Sequence, residues 1–64
     1  MIVSKTGEGE LLIYKENKHG DFINIIIDED GDIELMKLTK DRRNTTTKTN
    51  ATIDETIDFW NKEI

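Results

Sequence analysis

Residues 21 to 39, DFINIIIDEDGDIELMKLT, constrain the fold more than any other part of the sequence. Two aliphatic runs flank a short acidic segment with one glycine, a pattern typical of a β-hairpin. A two-residue turn at Asp30 and Gly31 scatters the aliphatic side chains over both faces. A type I turn with Gly31 in the left-handed position pairs Asp28 with Asp32 instead. This register places the aliphatic side chains on one face. We therefore predict the second register, whose apolar face consists of Ile23, Ile25, Ile27, Ile33 and Leu35.

The C-terminal stretch TIDETIDFWNKEI predicts an amphipathic helix. Thr52 followed three residues later by Glu55 is a capping box, and acidic residues in the first turn complement the helix dipole. One apolar stripe follows the helical repeat, and Phe59 widens it. The stripe, which we expect to cover the aliphatic face of the sheet, consists of Ile53, Ile57, Trp60 and Ile64.

These elements predict a single α+β domain over residues 1–64. We expect a small two-layer domain, in which an antiparallel β-meander of three to five strands carries one C-terminal amphipathic helix on one face. The segment after Thr39 is polar and threonine-rich, and it is interpreted as an edge strand or an ordered loop. The strands are predicted at about 2–5, 10–16, 21–28, 32–39 and, if the polar segment is extended, 44–49, and the helix at about 52–63.

Size and composition restrict the class of protein. With 64 residues and no cysteine, the chain has neither disulfides nor thiolate metal ligands, and a single core of this size yields roughly 3 to 5 kcal/mol of stability. The N-terminus has no signal-peptide pattern, and no apolar run is long enough for a membrane span. We expect a cytoplasmic protein. The net charge of −5 disfavours general binding to nucleic acid or to anionic membranes.

The segment DEDGD raises the question of a metal site. In a helix-loop-helix calcium site aligned on Gly31, Asp28 and Asp30 occupy ligand positions. The first and last ligand positions are then Ile26 and Lys37, so two principal ligands are missing, and the flanking segments are strands. We therefore predict a turn, with no metal and no cofactor.

Five carboxylates fall within seven residues of this hairpin, with no cation among them. We call them the acidic tip: Asp28, Glu29, Asp30, Asp32 and Glu34. An acidic hairpin end commonly serves solubility and protects against edge-to-edge pairing. The sharper hypothesis, which we adopt, is a docking point for an arginine- or lysine-lined groove on another protein.

The opposite charge is concentrated in residues 37–48. Five of the nine cations lie there: Lys37, Lys40, Arg42, Arg43 and Lys48. This basic segment is the basis of the alternative function, a small nucleic-acid-binding regulatory module, although no aromatic residue lies between the cations to stack on bases. We expect instead that the segment pairs with the acidic helix within the molecule or across a dimer. Arg42 and Arg43 are predicted as a second, weaker protein contact.

An enzyme is the third hypothesis. It would need a pocket and an orienting carboxylate at His19, the only histidine, which lies in a predicted turn. We predict no enzymatic activity and a solvent-exposed His19.

The expected function is that of a small acidic inhibitor or adaptor that docks on a larger protein, such as a nucleic-acid-handling enzyme. In size, acidity and isoleucine-, lysine- and asparagine-rich usage, the chain is similar in general character to phage-encoded inhibitors of host defence. Some of these, including many anti-CRISPR proteins, present carboxylates where a nucleic acid would bind, but no motif carries this likeness. We expect no membrane partner and no direct nucleic-acid binding. A homodimer through an edge strand or the second sheet face, which holds Phe22 and Met36, is a further hypothesis.

Overall fold

A computed structural model describes residues 2–5 and 7–64. Five antiparallel strands form one sheet in sequence order, and a single helix of the described chain packs on one face of it. The predicted α+β meander is confirmed, and each predicted segment agrees with the structure to within one residue at its ends. The elements are β1 (Ile2–Lys5), β2 (Leu11–Glu16), β3 (Phe22–Ile27), β4 (Ile33–Leu38), β5 (Thr45–Lys48) and α1 (Ile53–Glu63).

The β3–β4 hairpin has the predicted register. Ile25 pairs with Leu35, and Ile27 pairs with Ile33. Ile23, Ile25 and Leu35 are 1 to 3 % exposed, so the face that carries them, here called the inner face, is the core side of the sheet. Because strand side chains alternate, the even-numbered residues of β2, β3 and β4 lie on the opposite side, here called the outer face.

The turns after β2 and after β3 have the same hydrogen-bond pattern, in which one side-chain oxygen accepts from two backbone N–H groups. In the Asn17–Asp21 turn, Asn17 Oδ1 accepts hydrogen bonds from the backbone N–H of His19 (2.9 Å) and of Asp21 (3.0 Å). The Asn17 amide also donates to the backbone carbonyl of Glu63 at 3.0 Å, and the residue is only 7 % exposed. One buried side chain therefore closes a turn and holds the end of α1, across 46 residues of sequence.

The start of α1 is as predicted. Thr52 Oγ1 accepts from the Glu55 N–H at 3.1 Å, and Glu55 Oε1 accepts from the Thr52 N–H at 3.0 Å. The Ala51 N–H donates to the carbonyl of Ile33, which ties this end of the helix to β4. The helix therefore begins beside the acidic tip and ends beside Asn17.

The rotation of α1 about its axis differs from the prediction. Phe59 and Trp60 pack against the core, but Ile53 and Ile57 of the predicted stripe are 70 % and 52 % exposed. Two glutamates on the same side of the helix as Phe59 contact lysines of the sheet. Glu55 binds Lys48 of β5 and Glu63 binds Lys37 of β4, so that residues 55, 59 and 63 face the sheet at the four-residue helical spacing.

Candidate functional site

The acidic tip is a hairpin turn held by one of its own carboxylates. Asp28 Oδ1 accepts hydrogen bonds from the backbone N–H groups of Asp30 and Asp32, both at 2.9 Å. The Gly31 N–H donates to the Asp28 carbonyl at 3.1 Å, and Gly31 has a φ of 87°, which a residue with a Cβ adopts only at a cost. The predicted turn is confirmed, and its hydrogen bonds fix the backbone from which the carboxylates project.

The charges of the tip are close together. Carboxylate oxygens of Asp28, Asp30 and Asp32 lie within 4.8 Å of one another. Two like charges at that separation repel by about 1 kcal/mol in water at low salt. Glu29 lies against the backbone of Gly9, where a Cβ atom would collide with its carboxylate. Of the cations in residues 2–5 and 7–64, none forms an ion pair with the five tip residues.

The loop between β4 and β5, residues 39–44, lies at the other end of the sheet and is called the basic loop. Asp41 Oδ1 organises it by accepting from the Thr39 hydroxyl at 2.7 Å and from the Arg43 N–H at 3.0 Å. Both hydrogen bonds stabilise the carboxylate and lower the pKa of Asp41. The cations of the loop are Lys40, Arg42 and Arg43.

Arg42 has an unusual backbone conformation. Its φ of 61° is in the left-handed region, which costs a residue with a Cβ about 1 to 2 kcal/mol. The guanidinium carbon lies 5.6 Å from the centre of the Phe22 ring, within range of a cation–π interaction. Phe22 in turn stacks on Tyr14 with 5.7 Å between ring centres. The basic loop is thus joined to the outer face through an aromatic pair.

The outer face is largely apolar over β2, β3 and β4, and its polar members are Glu16, Asn24 and Glu34. Its apolar side chains are half-buried by their neighbours within the sheet, and α1 packs on the inner face. No element of the described chain lies over this surface. Its apolar residues are Leu12, Tyr14, Phe22, Ile26, Met36 and Leu38.

Two cations of the basic segment are used inside the molecule, on the inner face. Lys37 Nζ lies 2.8 Å from a Glu63 carboxylate oxygen and 3.9 Å from one of Asp21. The hydrogen bond to Glu63 is the main reason that the pKa of Lys37 is raised. Lys48 lies 2.7 Å from Glu55, and this contact is the main reason that the pKa of Glu55 is lowered. For these two lysines the expected pairing with the acidic helix is confirmed.

The predicted site residues fall into two groups that the structure does not bring together. The acidic tip lies at one end of the β3–β4 hairpin, and Arg42 and Arg43 lie at the other, about 17 Å away along six-residue strands. His19 is exposed on the Asn17–Asp21 turn, as predicted.

Sequence reasoning recognised Phe22 and Met36 on the outer face but missed the other four apolar residues. The signal that could have found them was present, because the same alternation that defines the inner face also places them on the outer one. The two charged groups therefore lie at opposite ends of one apolar surface.

Within residues 2–5 and 7–64, no helix has both the length and the apolar character needed to cross a membrane. Comparisons of the chain with protein-family models, with curated proteins and with solved structures found no match.

Proposed function

We propose that this protein is a non-catalytic inhibitor or adaptor that docks on a larger protein, with the acidic tip as its main contact. The observation that carries the proposal is the unequal use of charge. The glutamates of α1 hold Lys37 and Lys48, whereas no described lysine or arginine forms an ion pair with the tip. A charged surface that forms no ion pair with the described part of its own chain is suited to an oppositely charged surface of another molecule.

The geometry of the tip favours tight docking. Because Asp28 already fixes the backbone of the turn, the tip loses little backbone freedom when it binds. Carboxylates in a fixed array are good acceptors for the forked donors of arginine. We therefore expect a partner surface rich in arginine and lysine.

The partner is expected to be a nucleic-acid-handling enzyme. A nucleic-acid strand carries one negative charge per about 3.4 Å of axis, and three tip carboxylates lie within 4.8 Å of one another. A groove that binds phosphates therefore offers the tip a matching charge density, and occupation of that groove would inhibit the enzyme.

Capture from a bacterial lysate tests this function. The tagged protein is expected to retain one protein partner after nuclease treatment and to lose it at high salt, because the contact is ionic. A tip-neutral variant is expected to keep the fold, since an amide at position 28 still accepts the two backbone hydrogen bonds, and to capture nothing. Its substitutions are Asp28→Asn, Glu29→Gln, Asp30→Asn, Asp32→Asn and Glu34→Gln.

The outcomes separate the candidate functions. If the tip-neutral variant, shown by circular dichroism to be folded, captures the same protein as the wild type, the tip is not the contact. If the wild type recovers only nucleic acid, and loses it on nuclease treatment, the alternative function of residues 37–48 replaces the docking function.

A further inference from the structure

The outer face is an apolar surface that no element of the described chain covers. Its six apolar residues span three neighbouring strands, and the two aromatic rings among them are stacked. Sheets that pack face to face lie about 10 Å apart and interdigitate side chains of this kind. Each of these side chains is partly exposed, and a contiguous apolar surface rimmed by polar residues often marks an interaction site.

The charges at the two ends of the face indicate what covers it. At the β3–β4 turn, Glu34 lies on the outer face, paired across from Ile26, and the rest of the acidic tip lies in the turn before it. At the other end, Arg42 lies over Phe22, and Arg43 is next in the chain. One end of the face therefore carries the acidic tip, the middle is apolar apart from Asn24, and the other end carries the two arginines together with Glu16, which pairs with Phe22.

We propose that a second copy of this chain covers the outer face, with its strands running antiparallel to those of the first. A two-fold axis that lies in the interface and runs perpendicular to the strands brings the two apolar faces together. The same axis places the acidic tip of each copy over the basic loop of the other. A two-fold axis along the strands would place tip over tip and loop over loop, which like charges oppose.

The proposed dimer does not depend on the docking function, because two copies of the purified chain can associate without any other partner. It also has a consequence for that function. In the dimer the acidic tip faces the basic loop of the second copy, so a larger partner that binds the tip competes with the second copy for the same carboxylates. Dissociation of the dimer then accompanies docking.

A charge-swap cycle tests the proposal by sedimentation equilibrium of the purified chain over a concentration series. The wild type is expected to dimerise. The tip swap Asp30→Lys with Asp32→Lys and the loop swap Arg42→Glu with Arg43→Glu are each expected to raise the dimer dissociation constant by about tenfold or more. Both swaps in one chain restore opposite charges at each end and are expected to restore the wild-type dissociation constant.

Two single substitutions locate the interface. Met36→Glu places a charge at the centre of the outer face and is expected to give a monomer. Ile57→Glu adds the same charge beside a different apolar surface, a groove of about 310 Å³ between α1 and strands β1 and β2, and is expected to leave the dimer intact. Circular dichroism identifies variants that remain folded, and Ile57 is 52 % exposed, so its substitution is tolerated by the fold.

Three results would overturn the proposal. The first is a wild type that stays monomeric up to millimolar concentration. The second is a dimer that Ile57→Glu dissociates and folded Met36→Glu does not, which would assign the interface to the helix side. The third is a failure of the combined swaps to restore the association that each swap weakens.

Discussion

Asn17→Ala is expected to lower the free energy of unfolding by about 3 kcal/mol. The substitution removes three hydrogen bonds of a side chain that is 7 % exposed, and a lost bond at a buried site costs about 1 kcal/mol or more. A domain of this size has roughly 3 to 5 kcal/mol in total. Urea unfolding followed by the fluorescence of Trp60, the single tryptophan, measures the change.

Two further variants test the role of Asn17. Asn17→Asp keeps the oxygen that accepts the two turn amides, but it places a carboxylate oxygen against the Glu63 carbonyl at the C-terminal end of α1, so its cost is expected to exceed that of the lost donor alone. Asp28→Ala removes the equivalent bonds from the exposed tip and relieves repulsion there, so it is expected to cost less than about 1 kcal/mol. Equal effects of Asn17→Ala and Asp28→Ala would contradict the role assigned to Asn17.

Ile25→Ala and Ile26→Ala are expected to differ by at least about 2 kcal/mol, although they are neighbours in sequence. Ile25 is 3 % exposed and contacts the core, so its truncation leaves a cavity and costs about 3 kcal/mol. Ile26 lies on the uncovered outer face, and its truncation is expected to cost less than about 1 kcal/mol. Urea unfolding at a protein concentration at which the chain is monomeric measures both.

The comparison tests the register as well as the exposure of the outer face. A larger loss for Ile26→Ala than for Ile25→Ala would mean that β3 presents its other side to the core. Equal losses in the monomer would mean that something in the chain covers both faces.

The sheet could be predicted because several local signals agree. Alternating isoleucines and Gly31 admit one register that buries a complete aliphatic face, and the capping box at Thr52 fixes where α1 begins. The threonines of β5 favour extended structure even without apolar residues, which is why residues 44–49 could be named as a strand.

The rotation of α1 could not be predicted from apolar periodicity alone. Glu55 and Glu63 look like surface residues in the sequence, yet each binds a lysine of the sheet on the side of the helix that carries Phe59. The partners are far apart in sequence, so no local pattern identifies them. Ile53 and Ile57 are left exposed as a result.

The charged residues of the candidate site could be predicted from the sequence, but their arrangement in space could not. The acidic tip and Arg42 with Arg43 were found from composition, and the structure adds that they lie at the two ends of the outer face. The double role of Asn17 had a partial signal, because Asn17, Gly20 and Asp21 repeat the spacing of Asp28, Gly31 and Asp32. Its bond to Glu63 depends on tertiary packing and had none.

Two double variants that remove the same charge from different places test whether the acidic tip is the docking contact. Asp30→Asn with Asp32→Asn neutralises two exposed tip carboxylates whose backbone amides stay bonded to Asp28. Asp54→Asn with Asp58→Asn neutralises two exposed carboxylates of α1. The affinity of each variant for the captured protein is measured by titration calorimetry. The tip pair is expected to weaken binding by about tenfold or more, and the helix pair to change it by less than about twofold. Equal weakening by both pairs would mean that binding depends on net charge alone, and unchanged binding by the tip pair would mean that the tip is not the docking contact.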